Sequence, residues 1–257
     1  MRLLTCVLIS VFFNAIPVPG ATLLIKNANV VDPLDKTITL KSVFVRDGRI
    51  ESTGPSNEEK PDVTYDAKKL WLVPGFTDMH THSWGNDAPF EKFEVSKTEG
   101  TSQRMLYSGV TAFLDLGSSE DHIFDDRERQ RSGKFNGAAI YAAGSVFVPG
   151  IRRPGSGAHA VNSEREARDE VRRFVKAKKP DVIKIIFDYR RSNGMKKNVM
   201  AAIVKAAKEA GIPSVVHIGS WLNAKHASEA GASAITHLCE DAVIPEDTLQ
   251  AMKKAKV

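Results

Sequence analysis

Pro74-Gly-Phe-Thr-Asp-Met-His80-Thr-His82-Ser-Trp84 is the stretch on which the fold turns. In an extended chain successive side chains alternate faces, so His80 and His82 project from one side and can grip the same cation. Three later apolar runs each carry one further candidate ligand: Asp181-Val-Ile-Lys184-Ile-Ile-Phe-Asp188, Pro213-Ser-Val-Val-His217-Ile-Gly-Ser220 and Ala234-Ile-Thr-His237-Leu-Cys239. Each run is short, β-branched and bounded by Gly, Pro or Asp, which suits a strand buried on both faces. Each candidate ligand is expected at or near its strand's end. Taken singly, His217 and His237 read as satisfied core histidines, whereas Lys184, a lysine in an apolar strand, reads as functional against the alternative of one that snorkels from the strand end into solvent. Their occurrence together with His80 and His82 turns the reading toward a metal centre.

Outward from this stretch, strands and helices alternate as a βα barrel requires. Strands are expected at 76–82, 110–116, 138–148, 182–188, 214–219 and 235–238. Ser163 with Glu166 forms a capping box, Gly211 and Gly231 sit where helix C-caps are wanted, and Pro245 suits a first helical turn. Val199, Met200, Ile203, Val204 and Ala207 recur at helical spacing and predict the core-facing stripe of a helix over 196–210. Residues 21–73 instead alternate apolar and polar, and Asp47-Gly48 is a hairpin signal, so a small antiparallel sheet is expected there.

The order and spacing of these motifs resemble the metal-dependent amidohydrolase superfamily, and within it the imidazolonepropionase-like and Xaa-Pro dipeptidase-like members. The resemblance implies an α/β fold, a (β/α)8 TIM-type barrel flanked by a β-sandwich of which residues 21–73 supply the first half. It implies two divalent metal ions, usually zinc, with His80 and His82 on one, His217 and His237 on the other, and a carbamate on Lys184 bridging both. An unmodified ammonium has no lone pair to donate, so a lysine among cations must be converted before it can serve. Two such ions would yield a bridging hydroxide at ordinary pH and polarise a carbonyl. The implied activity is hydrolysis of an amide or peptide-like C–N bond in a small-molecule substrate, such as a dipeptide or N-acyl amino acid. Cyclic amides, lactones and phosphotriesters are alternatives within the same fold.

Substrate contacts are expected from loops at the strand ends. Candidates are Asp115, His159 at the end of the Gly-rich loop 154–159, and Tyr189 with Arg190, whose guanidinium matches a carboxylate in two-point contact. Residues 74–257 hold about six strands and are fewer than the roughly 250 residues of a complete barrel. The aspartate that the family carries at the end of its eighth strand, where it shuttles the proton, has no counterpart, so no catalytic residue is assigned. The expectation is therefore a C-terminally truncated hydrolase. Its open sheet edges would aggregate unless covered, as in a homo-oligomer. A non-catalytic, metal-binding barrel fragment is the second reading.

Residues 1–20 combine Arg2, an apolar stretch from Leu3 to Ala15, and Val18-Pro-Gly20 before Ala21. That pattern is a secretory signal peptide, too short to span a bilayer, and predicts a secreted or periplasmic protein. No later segment is apolar enough to cross a membrane. Loss of the leader removes Cys6 and leaves Cys239, which excludes an intramolecular disulfide and reads as a small buried apolar residue. The net charge of +5 is spread among acids, as over residues 164–173, and no aromatic-interleaved basic stripe is present, which argues against a nucleic-acid partner. His122 and His226 lie in polar helical settings and are expected on the surface.

Overall fold

A computed structural model describes residues 20–54, 60–83, 98–150, 158–188, 194–239 and 242–257. Residues 1–19 of the expected leader and the pair Tyr189 and Arg190 lie outside the described residues. The chain opens with β1 (Thr22–Asp32), β2 (Thr37–Arg46) and β3 (Arg49–Thr53), paired antiparallel in sequence order. Asp47 and Gly48, at φ +50° and +72°, make the two-residue hairpin turn for which Asp-Gly is suited. β4 (Val63–Asp66) and β5 (Trp71–Leu72) run parallel to β1, so the sheet is mixed where a wholly antiparallel one was expected. The reason is a long-range bond. The Asp62 carboxylate accepts from the Thr22 amide at 2.7 Å and the Thr22 hydroxyl at 2.8 Å, which sets β4 beside the start of β1 and sends both in one direction.

From there the chain alternates. β6 (Phe76–Thr81), α1 (Thr98–Tyr107), β7 (Val110–Asp115), α2 (Glu120–Arg131) and β8 (Ala139–Ala142) come first. β9 (Val146–Val148), β10 (Ala158–Ala160), α3 (Glu164–Lys178), β11 (Ile183–Phe187) and α4 (Lys197–Glu209) follow. β12 (Ser214–Ile218), α5 (Trp221–Ala230), β13 (Ala234–Thr236) and α6 (Glu246–Ala255) complete the described elements. All pairings in this part are parallel, in the orders β6-β7-β8 and β10-β9-β11-β12-β13. Among the described residues β6, β8, β10 and β13 each pair on one side only, so the strands form an arc of two parallel sheets, in keeping with part of a barrel whose closure is not seen.

The continuous strand expected at 138–148 is broken. Gly144 stands at φ +66°, and a Cβ there would lie 2.7 Å from the Phe124 ring, so only glycine fits. The break lets β8 pair with β7 while β9 pairs with β11. Below it, the Asp181 carboxylate accepts from the Ala142 amide at 2.9 Å, from Arg127 at 2.8 Å and from Arg131 at 2.9 Å, which ties α2 to the entry of β11. β10 was not foreseen: it places His159 in a strand where the sequence suggested a loop.

The helix signals match the structure closely. Ser163 Oγ accepts from the Glu166 amide at 3.2 Å to open α3, and Ala167, Val171 and Phe174 make its buried stripe. All five residues of the predicted stripe in α4 are buried. Gly211 and Gly231 take left-handed φ just past α4 and α5, and Pro245 stands one residue before α6. These helices cover one core that includes Phe113, Ile140, Phe147, Ile183, Ile185 and Val216. None of the described helices is long and apolar enough to cross a membrane.

Candidate metal centre

Parallel strands present their C-terminal ends on one side, and that side gathers the histidines. His80 belongs to β6 and His82 follows it directly, His217 is the fourth of five residues in β12, and His237 follows β13. Ring centroids lie 5.4 Å apart for His80–His82, 5.0 Å for His80–His237 and 4.2 Å for His217–His237. The four imidazoles therefore run in contact in the order His82, His80, His237, His217. His80 lies in β6 and His237 just after β13, so the two ends of the arc converge on this centre.

Lys184 corrects one expectation. It is the second residue of β11, not a strand-end residue, and it pairs in register with Val215, two residues below His217. Side chains two apart share a face, so Lys184 lies one layer, about 7 Å, beneath His217. Its long stem climbs back, and Nζ donates to Thr236 Oγ1 at 2.8 Å, level with His217 in the β12–β13 register. Lys184 is 2 % exposed, and burial pushes its amine down to about 8. Burial, then the Lys184 charge and the neighbouring His237 and His82, push the His80 imidazole down to about 4 against the pull of Asp78. A neutral imidazole is the form that binds a metal.

His237 adopts φ +76°, a left-handed conformation that costs a residue with a Cβ about 1–3 kcal/mol and is concentrated at functional sites. Among the described residues no three His, Cys, Asp or Glu side chains form a metal-holding group by themselves. Four imidazoles in a row above a buried lysine are nitrogen donors of the kind that suits divalent metal ions.

The remaining site residues fall elsewhere. His159 is buried between Phe147 and Phe174, with ring centroids at 4.7 and 4.3 Å. Its Nδ1 lies 2.7 Å from Glu170, and its Nε2 lies 3.0 Å from Glu120 in a contact poorly aligned for a hydrogen bond. Arg173 beside Glu170 pulls that carboxyl down to about 2, overcoming its burial, with His159 adding to the effect. Burial works against the Glu120 carboxylate, yet the adjacent His159 and a hydrogen bond from Ser145 hold it below its ordinary value. His159 is thus engaged by the core rather than presented on a loop. Cys239 is buried with the apolar core, as expected. Asp115, expected at a substrate loop, is wholly buried and accepts from Ser83 and from the turn that follows it. Sequence reasoning missed Thr236, Ser83, Gly117 and Ser118. Asp115-x-Gly117 was the available signal, since an aspartate commonly bonds the amide two residues on.

Comparison with known proteins agrees with this geometry. The Amidohydrolase family model matches residues 71–254. A dihydroorotase from Solibacter usitatus is 37 % identical over 134 residues, which are 52 % of this chain and 30 % of that protein. The solved structure of molinate hydrolase superposes with a TM-score of 0.77 at 23 % identity, covering 96 % of this chain and 63 % of that one. A Xaa-Pro dipeptidase with methionine bound in its active site gives 0.77 at 21 % identity, covering 92 % and 65 %. The chain spans less than two thirds of each of these proteins. With most of its length matched and its histidines gathered at the ends of parallel strands, the chain belongs to the amidohydrolase family.

Proposed function

We propose that the chain forms the metal-holding part of a hydrolase that cleaves an amide or peptide-like C–N bond in a small molecule. The observation that carries this reading is the line of four touching imidazoles above one buried lysine. His80 and His82 would hold one divalent ion and His217 and His237 a second, with zinc the natural partner of such nitrogen donors. When bound, the ions polarise a carbonyl and bring the pKa of water toward neutrality.

The protein's own groups prepare for this. Neutral His80 keeps its lone pair at ordinary pH, and the depressed Lys184 amine is neutral in a larger share of molecules than a solvated lysine. A neutral amine can attack carbon dioxide: the N–C bond forms, one C=O electron pair moves to oxygen, and the nitrogen proton leaves to solvent. The product is an anionic carbamate able to bridge the two histidine pairs. Tyr189 and Arg190, just beyond β11, supply the carboxylate recognition of a dipeptide or N-acyl amino acid. The likeness to a dihydroorotase and a Xaa-Pro dipeptidase favours a C–N bond. The leader pattern supports action outside the cytoplasm.

A substrate panel tests the reading. Protein purified with zinc and bicarbonate is assayed against dipeptides, N-acyl amino acids, cyclic amides, lactones and phosphotriesters. Chelator-sensitive release of amine or acid, restored by zinc, is expected for a C–N substrate. Turnover confined to lactones or phosphotriesters would contradict the bond assigned, and two bound ions with no turnover would favour the metal-binding fragment.

A further inference from the structure

We infer that Asp115 is a positioning residue for the metal centre, which fixes the backbone around His82 and the tautomer of its ring. The inference rests on the metal-holding reading above. Asp115 ends β7 and is wholly buried, where a carboxylate is stable only if its oxygens are hydrogen-bonded. Oδ2 accepts from the Ser83 amide at 2.7 Å, the Ser83 hydroxyl at 2.6 Å and the Ser118 hydroxyl at 2.6 Å, and Oδ1 accepts from the Gly117 amide at 2.9 Å. These donors belong to two segments, the residue after His82 and the turn after β7. The carboxylate clamps one to the other.

His82 sits inside that clamp. On one side the Leu116 amide donates to the Thr81 carbonyl at 2.9 Å, and on the other the Ser83 amide is held by Asp115. The β6–β7 register is irregular between Asp78 and Thr81, so the carboxylate extends a ladder whose backbone pairing is failing. The ring is fixed as well. His82 Nδ1 lies 3.0 Å from the carbonyl oxygen of Gly117, the residue whose amide Asp115 holds. A carbonyl only accepts, so Nδ1 carries the proton and Nε2 carries the lone pair that a metal needs. A Cβ on Gly117 would stand 3.1 Å from Val146 and 3.3 Å from His82 Cε1, so glycine keeps the space beside the ring open.

The test is spectroscopic and uses the full chain. Long-range proton–nitrogen spectra of nitrogen-15-labelled, metal-free protein in mildly alkaline buffer report the tautomer of each imidazole, with His82 identified by loss of its signals in His82→Gln. The wild type is expected to show the Nδ1–H form. Asp115→Asn faces four donors with one donor group of its own; it should leave His82 in mixed tautomers and weaken zinc binding in a chelator competition about 10- to 100-fold. If that variant fails to fold, Ser118→Ala, which removes one of the four donors, should shift the same signals partway. An Nε2–H form in the wild type, or unchanged His82 signals in a folded Asp115→Asn or Ser118→Ala, would overturn the inference. Wild-type protein with the expected tautomer but no zinc affinity would sink the metal reading and leave the positioning intact. Zinc binding with a tautomer indifferent to Asp115 would do the reverse.

Discussion

β6 and β11 deliver side chains to the same centre from opposite surroundings. β11 is flanked by β9 and β12, and Ile183, Lys184, Ile185 and Phe187 are buried. Among the described residues β6 pairs with β7 on one side only, and Phe76 and Met79 remain 60 % and 64 % exposed. A central strand fixes its ligand through packing, and the difficulty it meets is a charged amine taken out of water. An edge strand has little packing to use. The chain around His82 is held instead by hydrogen bonds reaching across from β7 and the turn after it, chiefly those of Asp115 to Ser83, while the His80 amide donates to Asp78 within β6 at 2.9 Å.

The largest expected effect lies on the central strand. An amine at about 8 in the folded protein against 10.5 in the unfolded chain is a penalty on folding of about 3 kcal/mol, fully present below pH 8. Because the folded value is the lower one, the penalty fades as pH rises from about 8 to 10.5. Lys184→Met keeps volume and removes the amine, so its urea midpoint near pH 7 should exceed that of metal-free wild type, with the difference closing by pH 10.5. Metal retention should nevertheless be lost. A Met variant no more stable than wild type would show that packing does not dominate at β11.

The junction between the two regions comes next. Gly144 breaks the strand that joins the β6 side of the arc to the β11 side. Gly144→Ala combines a left-handed φ with a clash against Phe124, and should cost about 2–4 kcal/mol by chemical denaturation. A loss below about 1 kcal/mol would mean that the two sides are joined more loosely than described.

The edge comes last: the His80 shift is as wide as that of Lys184, but the ring is only half-buried, so solvent screening reduces what it contributes. The His80 imidazole has a folded value of about 4 against an unfolded 6.5, so its contribution to stability is present above pH 6.5 and is lost as pH falls toward 4. Metal-free wild type should therefore lose more stability than His80→Gln across that window. Parallel pH curves for the two proteins would remove His80 from the buried, charge-coupled centre.

Much of this was legible in the sequence because periodicity reports which face a residue occupies. The runs around Lys184, His217 and His237 are strands or strand ends, the stripe from Val199 to Ala207 is buried, and Ser163 caps as its spacing to Glu166 predicts. What was hidden depends on partners distant in sequence. The parallel placement of β4 comes from Asp62 meeting Thr22, the break at Gly144 from the position of Phe124, and the depth of Lys184 from its register with Val215. His159 was misread for the same reason: the carboxylates that hold it lie on α2 and α3. A local pattern cannot show a contact made across the fold.

The central claim is that His80, His82, Lys184, His217 and His237 together hold metal. Metal content per folded chain, measured by mass spectrometry after purification in bicarbonate without chelator, tests it most directly when wild type is compared with His217→Ala and Lys184→Ala. Near two zinc-like ions in the wild type and a clear loss in both variants is the predicted result. A folded wild type with almost no metal, or variants that keep the wild-type content, would contradict it.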